Sequence, residues 1–265
     1  MPMSAEPIVR RLSSYVALTD EDARLLEDLC RERVRRVGPR EDIVREGERP
    51  HALYVLLDGW AARYKSLEDG RRQVLSFVLP GDLCEQHVLL LPRADHSLGA
   101  ITSVTVAEIP AARVADIAAA SPRLSTALAW SDLCAHTLQR EWTVNLGQRS
   151  ALERMAHLIC ELFHRLRAVG LTHGLSYELP ATQAMLADAT GISAVHVNRT
   201  LQELRAAELI TLRGRHMTIH DLEALEAAGL FSPSYLHLDQ AASPTATAPD
   251  GRAPVLVLRS IATEA

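Results

Sequence analysis

The stretch from Leu179 to Ile210, LPATQAMLADATGISAVHVNRTLQELRAAELI, constrains this chain more than any other. It reads as two short helices joined by a sharp turn. Ala181 or Thr182 opens the first helix, and Thr182 is a good N-cap because its hydroxyl can accept from an amide that lacks a helical partner. Leu186 and Ala187 supply the buried face, with the small Ala187 where a second helix must cross closely. Gly191 breaks the helix, since glycine tolerates the backbone a tight turn needs. Ile192 plugs the corner, and Ser193 caps a second helix that runs to about Ala207.

In that second helix Val197, Leu201 and Leu204 recur at i, i+4 and i+7 and share one buried stripe. At about 100° per residue, Val195, Arg199 and Gln202 point the other way, flanked by His196, Asn198 and Glu203. Such a face suits the DNA major groove: Arg bonds guanine edges in bidentate fashion, Asn bonds adenine, and Val meets a thymine methyl. Small residue, glycine, apolar plug, cap and periodic second helix together specify a helix-turn-helix. Thr182 and Gln183, at the start of the first helix, are placed to touch phosphates. After the motif, Leu209–Leu212 and Met217–Ile219 read as strands around the turn Arg213-Gly214-Arg215-His216. That hairpin is a wing whose Arg213 and Arg215 can hold phosphate oxygens, which positions the protein without reading sequence. Asp221 caps a short helix, Leu222 to Ala228.

The chain has 265 residues, which allows two domains, and a formal net charge of −5, so it is not a broadly basic nucleic-acid binder. Any DNA contact must come from local geometry and a few arginines. Met1 to Arg11 lacks the apolar core of a signal peptide and no run of 18 apolar residues occurs, so a cytoplasmic protein without a membrane partner is expected. Cys30, Cys84, Cys134 and Cys160 are far apart, which predicts buried reduced thiols.

Residues 1 to 37 read as helical, with Thr19 as an N-cap and Asp22 three residues on. Then the period changes. From Arg40 to Ile109 apolar runs are short: Ile43-Val44, Leu53–Leu57, Ala61–Tyr64, Val74–Leu79, Val88–Leu91 and Leu98–Ile109. Glycines at 47, 59, 70 and 81 punctuate them. Strands at that spacing predict a small antiparallel barrel or roll. Ser121-Pro122 starts a long helix running to about Leu146, with Gly147 ending or hinging it. Leu124, Leu128, Ser131, Ala135, Leu138, Trp142 and Asn145 form a heptad seam, and Leu128, Asp132, His136 and Gln139 a second stripe. One stripe faces a partner and the other the protein's own roll. Ser150 to Ala168 is another helix, in which His157 and His164 lack the spacing of a metal pair and read as ordinary helix residues. Leu175–Leu179 alternates as a short strand.

The segment 45–83, REGERPHALYVLLDGWAARYKSLEDGRRQVLSFVLPGDL, resembles the β-roll of the cyclic-nucleotide-binding domain, and in particular the sensory domain of the Crp/Fnr family of bacterial transcription regulators. The matching positions are Gly47-Glu48, Tyr54-Val55, Gly59, Gly70 and Pro80-Gly81-Asp82, with Val106–Ile109 as the last strand. The helix-turn-helix resembles the same family's DNA-binding domain, in the same order. The resemblance covers about residues 15 to 228. It implies an α+β protein: an N-terminal antiparallel, jelly-roll-like β-roll over 1–120, a long dimerisation helix over 121–147, and a C-terminal winged helix-turn-helix domain over 148–230. It also implies a homodimer that binds an inverted repeat in double-stranded DNA and contacts RNA polymerase. The dimer residues would come from Leu124, Leu128, Asp132, Ala135, His136, Leu138, Gln139 and Trp142, the polar second stripe being favoured at the seam.

The departures from the family decide what the roll can do. Where nucleotide-binding members have a Gly-Glu pair this chain has Glu85-Gln86, and Asp95 stands in place of the phosphate-binding Arg. Arg93 is two residues away. Gln139-Arg140 replace the Thr-Ser pair that meets adenine. A carboxylate repels a phosphate, so the expectation is weak or absent cyclic AMP binding, with Gly81, Asp82, Glu85, Gln86, Arg93, His96 and Ser97 as the residues around any ligand. Only Cys30 lies near the N-terminus, which argues against the family's iron–sulfur cluster; His51, His87 and His96 could ligate a haem, but a lone histidine is more often a surface or core residue, so no cofactor or metal is expected. The Arg-Glu pair that begins the family's recognition helix is replaced by Ala194-Val195, while Arg199 is kept, so the DNA target differs from that of the best-known members. No P-loop, G-x-S-x-G, H-E-x-x-H or dinucleotide fingerprint occurs, and an enzyme is not expected. The alternative is a protein whose main activity is binding a small, cyclic-nucleotide-like molecule. The tail 231–265, rich in Ala, Pro, Thr and Ser, is expected to be disordered apart from the apolar Val255–Leu258.

Overall fold

The computed structural model describes residues 5–84 and 92–242. Glu85, Gln86, His87 and the run Val88–Leu91, and the tail from 243 onward with Val255–Leu258, lie outside the described residues. Two helices open the chain, α1 (Glu6–Ser13) and α2 (Asp20–Glu32). Thr19 and Asp22 cap α2 reciprocally, each side chain accepting from the other's backbone amide, an arrangement worth about 1 kcal/mol.

The roll consists of β1 (Val34–Val37), β2 (Asp42–Val44), β3 (Ala52–Asp58), β4 (Ala61–Ser66), β5 (Arg72–Val78), β6 (Leu83–Cys84), β7 (Ser97–Ala100) and β8 (Val104–Pro110). They form two four-stranded antiparallel sheets, ordered β1-β8-β3-β6 and β2-β7-β4-β5. Tyr54, Leu56 and Val106 of the first sheet meet Ile43, Val78 and Leu98 of the second in one apolar cluster. β3 is buried from Ala52 through Leu57 because both its faces are covered: Leu53, Val55 and Leu57 pack under α1 and α2. At Gly59 the backbone is left-handed (φ +83°), and a β-carbon there would collide with the Ser103 carbonyl; only glycine closes that hairpin.

After β8 come α3 (Ala111–Ala120), the long α4 (Pro122–Gln148) and α5 (Ala151–Ala168). Ser121 caps α4 through the Leu124 amide, and Ser150 and Glu153 form a capping box on α5. Every residue of α5 from Met155 through Leu166 is buried, so the helix has no solvent face over three turns. Around it stand α6 (Gln183–Thr190), α7 (Ala194–Ala206), α8 (Leu222–Ala228) and a sheet ordered β10-β11-β9, formed by β9 (Ser176–Glu178), β10 (Ile210–Arg213) and β11 (His216–Ile219). Phe163, Tyr177, Leu186, Val197, Leu201 and Met217 share this core with Trp60 and Phe77 of the roll and Trp142 of α4. The rings of Trp60, Phe77 and Trp142 stand edge to face with centroids 6.2 Å apart at each contact. The two domains are therefore joined by a continuous apolar contact as well as by the chain.

Several expectations are corrected. Residues 1 to 37 are not wholly helical: Arg33 turns extended and Val34–Val37, with β-branched residues at both ends, pairs with Val104–Ala107. The run Leu98–Ile109 is split by a turn at Thr102 and Ser103, so its halves serve different sheets. The alanine-rich α3 was not anticipated; it has no side-chain cap to announce it. α4 runs one residue past Gly147, to Gln148. The tail is not irregular from Ser232: 3-10 turns at Pro233–Leu236 and Gln240–Ala242 dock on the body, with Leu236 buried.

Candidate nucleic-acid interface and roll cavity

The helix-turn-helix is built as its residues dictate. Thr182 Oγ1 accepts from the Met185 amide and starts α6. Gly191 caps its far end in the left-handed region (φ +67°), with Leu146 of α4 packed close beside it. Ser193 Oγ accepts from the His196 amide and starts α7. Leu186, Ala189 and Thr190 form the buried face of α6, while Ala187 is only half-buried. Val197, Thr200, Leu201 and Leu204 are buried on α7.

The opposite face of α7 is bare. Val195 is 81% exposed, a large apolar side chain that the described residues leave largely uncovered. Arg199 and Gln202 are exposed beside it, and Arg199 Nε is 3.1 Å from Glu203 Oε1. That bridge holds the guanidinium over the helix and contributes little stability at such exposure. Asn198 Nδ2 donates to Gln183 Oε1 at 3.4 Å, which joins the two helices of the motif across their outer faces. His196 is half-buried, and Thr182, Gln183 and Ser193 are exposed at the edge of the same surface. In the wing, Arg213 pairs with His216 across the turn, and Arg213 and Arg215 project on either side of Gly214.

On α4 the expected seam is divided. Leu124 lies in the core under α1 and α2, and Trp142 is wedged against Phe77 with its indole N–H on Glu161 (2.9 Å). Neither can face a partner, because each is already buried within its own chain. Leu128 and Leu138 also pack inward, partly covered. Ala135, His136 and Gln139 are exposed, Asp132 is half-buried near His136 (3.8 Å), and Leu133, Arg140 and Val144 extend the outer face.

Between the roll and α4 lies a cavity of 380 Å³, lined among others by Tyr15, Arg63, Ser76, His96, Ala135 and Gln139. Of the residues expected around a ligand, Asp82 and His96 line this cavity, while Gly81, Arg93 and Ser97 stand outside its lining. Gly81 abuts Pro7 of α1. Arg93 donates to the Gly47 carbonyl at 2.8 Å, and Asp95 accepts from the His96 ring at 2.7 Å. The Ser97 hydroxyl accepts from the Glu46 amide. Asp82 turns inward, holding the Leu79 amide (2.8 Å) and Arg165 of α5 (2.5 Å), with Arg11 of α1 at 3.4 Å. Burial alone would raise the Asp82 carboxyl, but the Arg165 and Arg11 guanidinium groups outweigh it and hold it below the usual range.

Arg165 also reaches the Phe77 carbonyl (2.9 Å) and Glu161 (3.1 Å). Glu161 is fully buried and accepts from Trp142 Nε1 and, at 3.1 Å, the Tyr235 hydroxyl; burial pushes its carboxyl above the usual range against the pull of Arg165. One network of ion pairs and hydrogen bonds thus spans α1, the roll, α4, α5 and the segment after α8. His157 and His164, read as ordinary helix residues, are both buried and hydrogen-bonded within the chain. His164 Nε2 meets Glu226 of α8 at 2.6 Å, and His157 Nε2 meets the Tyr235 hydroxyl at 3.1 Å.

Residues 34–121 match the cyclic nucleotide-binding domain, and residues 153–228 match a Crp-like helix-turn-helix domain. The transcriptional activatory protein AadR of Rhodopseudomonas palustris is 32% identical over 182 residues, covering 67% of this chain and 73% of AadR. The chain belongs to the Crp/Fnr family of transcription regulators. A further Crp/Fnr relative, the nitrogen fixation regulation protein FixK of Bradyrhizobium diazoefficiens, is 31% identical over 195 residues, 71% of this chain and 79% of FixK. The structure of FixK2 from Bradyrhizobium japonicum shares the fold, with a TM-score of 0.68 over 76% of this chain and 98% of that one at 23% identity. Among the described residues of this Crp/Fnr regulator, no helix is long and apolar enough to cross a membrane.

Sequence reasoning missed three features of the site. Arg72 of β5 bridges to Asp188 of α6 at 2.9 Å, tying the roll directly to the reading head. Glu161 and Arg165 stand four residues apart, a spacing visible in the sequence but identical to that of a solvated surface pair. Tyr235 lies in a stretch whose composition gave no sign of docking; its aromatic ring, with Phe231 nearby, was the available signal.

Proposed function

We propose that this regulator acts in the cytoplasm as a homodimer on an inverted-repeat DNA site, with α7 in the major groove and Arg213 and Arg215 on the backbone. The observation that carries this reading is the bare outer face of α7, where Val195 and Arg199 stand exposed on a helix whose other side is fully packed. Half-sites about 34 Å apart, one helical turn, fit two such helices related by a two-fold axis. The outer face of α4, with Leu133, His136, Arg140 and Val144, supplies the seam, and RNA polymerase is the partner through which transcription responds. Support for a roll that does not take cyclic AMP comes from Asp95 at the position of the phosphate-binding Arg and from Arg93, which is drawn to the Gly47 carbonyl. The effector is a different small molecule that fits the cavity beside α4.

The test uses duplexes selected by the protein from a randomised pool. Arg199→Ala is expected to weaken the selected site by about 1–3 kcal/mol while leaving unrelated duplexes unchanged. Intact specific binding in that variant would show that the reading face is misassigned. Sedimentation is expected to give a dimer that Leu133→Glu splits, and calorimetry to find no micromolar cyclic AMP binding.

A further inference from the structure

α4 ends at Gln148 and α5 begins at Ala151, so Arg149 and Ser150 alone form the elbow between the helix that carries the dimer seam and the domain that reads DNA. A two-residue elbow does not fix an angle by itself. The angle is held by side-chain ties, among them Trp142 of α4 on Glu161 of α5, and the chain that follows α8 adds a second set that bridges the two helices from outside. The match to the helix-turn-helix domain stops at residue 228, and this segment starts immediately afterwards. At Gly229 a β-carbon would sit 2.6 Å from the His157 amide nitrogen, so glycine lets the segment leave α8 pressed against α5. The Leu230 carbonyl then accepts from Arg149 of the elbow (3.2 Å). Phe231 stacks on His164 and meets His157 edge-on, with centroids 5.1 and 5.0 Å apart.

Tyr235 is the tie. Its carbonyl accepts from Thr137 Oγ1 of α4 at 2.7 Å, and its hydroxyl donates to Glu161 of α5 at 3.1 Å. Its ring lies nearly parallel to His157, 13° between planes. One residue therefore bonds to both arms of the elbow. Beyond it, the Leu236 carbonyl accepts from Cys134, His237 packs on Trp130, and the Ala241 amide donates to the Ser14 carbonyl at the end of α1. Leu230 and His237 both adopt left-handed backbone (φ +46° and +49°), which non-glycine residues keep only where their surroundings enforce it.

We propose that residues 230–242 are a strap that fixes the elbow angle between α4 and the reading domain, and so determines which half-site spacing the dimer accepts. This rests on the homodimer and inverted-repeat reading above. The geometry makes spacing a sensitive readout. α7 has 13 residues and is about 20 Å long, so a tilt of about 10° moves its end by ~3.4 Å, the rise of one base pair.

The experiment compares the full chain, a chain ending at Gly229, a chain ending at Ala242, and the variants Tyr235→Phe and Thr137→Val, singly and combined. The probes are a duplex carrying one half-site selected by the full chain, and a series carrying two inverted half-sites with the central spacer lengthened or shortened by one and two base pairs. All proteins are expected to bind the single half-site alike, within about twofold. The full chain and the chain ending at Ala242 are expected to prefer one spacer by roughly tenfold over its neighbours, a penalty comparable to a mismatched base pair. In the chain ending at Gly229 that preference is expected to flatten, and in the combined variant to fall in between. A sharp preference retained by the chain ending at Gly229 overturns the strap alone. If that chain fails to fold and loses the half-site, the combined variant decides, and an unchanged profile there overturns the proposal. A full chain with no spacer preference overturns the inverted-repeat reading as well.

Discussion

Replacing Arg165 with methionine isolates the ionic network at the domain junction. The guanidinium is buried, with 7% of its side chain exposed, and it serves Asp82 at 2.5 Å, Glu161 at 3.1 Å and the Phe77 carbonyl at 2.9 Å. Methionine fills much of the same volume but removes the cation, leaving two carboxylates with less support. Asp82 keeps the Leu79 amide and Arg11, and Glu161 keeps Trp142 and Tyr235. Breaking a buried pair from one side costs about 3–5 kcal/mol, because the remaining charge stays desolvated. That is a large share of the roughly 5–15 kcal/mol by which a typical domain is stable. Urea unfolding followed by tryptophan fluorescence reads the loss, Trp142 being in contact with Glu161. The pH dependence supplies an internal check. With the cation gone, both carboxylates bind a proton more readily folded than unfolded, so the folded state holds more protons and the variant's deficit shrinks as pH falls from 7 to 5. In the parent chain Asp82 has the opposite sign, being held below its usual range. A loss under about 1 kcal/mol, or a deficit that grows on acidification, would refute the view that Arg165 neutralises a buried acidic pair.

Two further outcomes follow from the same geometry. Arg213→Ala is expected to weaken binding to all duplexes alike and to reduce the magnitude of the salt slope of log K by about one, as measured by anisotropy titrations over a range of salt concentration. A sequence-dependent loss would place Arg213 on a base instead. His157 is pushed down to about 4 by burial and by Arg149, from an ordinary value of 6.5. Its neutral ring thus favours the folded state fully above pH 6.5, and that advantage, about 3 kcal/mol from the shift, is lost as pH falls toward 4. His157→Gln is expected to flatten that part of the stability–pH profile, and an unchanged profile would show that another group titrates there.

Local rules made much of this architecture readable in advance. Thr19, Ser150, Thr182, Ser193 and Asp221 cap helices where their side chains announce it, because capping depends only on neighbours three residues away. Gly47, Gly59, Gly70 and Gly81 all adopt positive φ at the turns their spacing marked. What escaped notice depends on distant partners. Val34–Val37 becomes a strand because β8 lies beside it, some seventy residues away in sequence. The stripe through Leu124 and Trp142 looked like one seam, yet its two ends are buried in different cores, since α4 crosses both domains. The exposed outer face of α7 with Val195 and Arg199 was legible because the helix's other side is so clearly apolar; the strap was not, because its local cue, the rings of Phe231 and Tyr235, stands in a stretch otherwise polar and rich in Ser and Pro.

The unbroken burial of α5 from Met155 through Leu166 carries its own consequence. A helix lying against a single surface can change freely on its outer side, and its tolerance to substitution rises and falls with each turn. Over Met155–Leu166 α5 has no outer side. That stretch meets α7, β9, α8, the strap and the roll, so a change at any of its positions is felt by some neighbour. Its histories of substitution will be written in compensated pairs, each altered residue accompanied by one on whichever element it meets. α5 is in that sense the axle of the molecule, the part with the least freedom to be altered independently of what surrounds it.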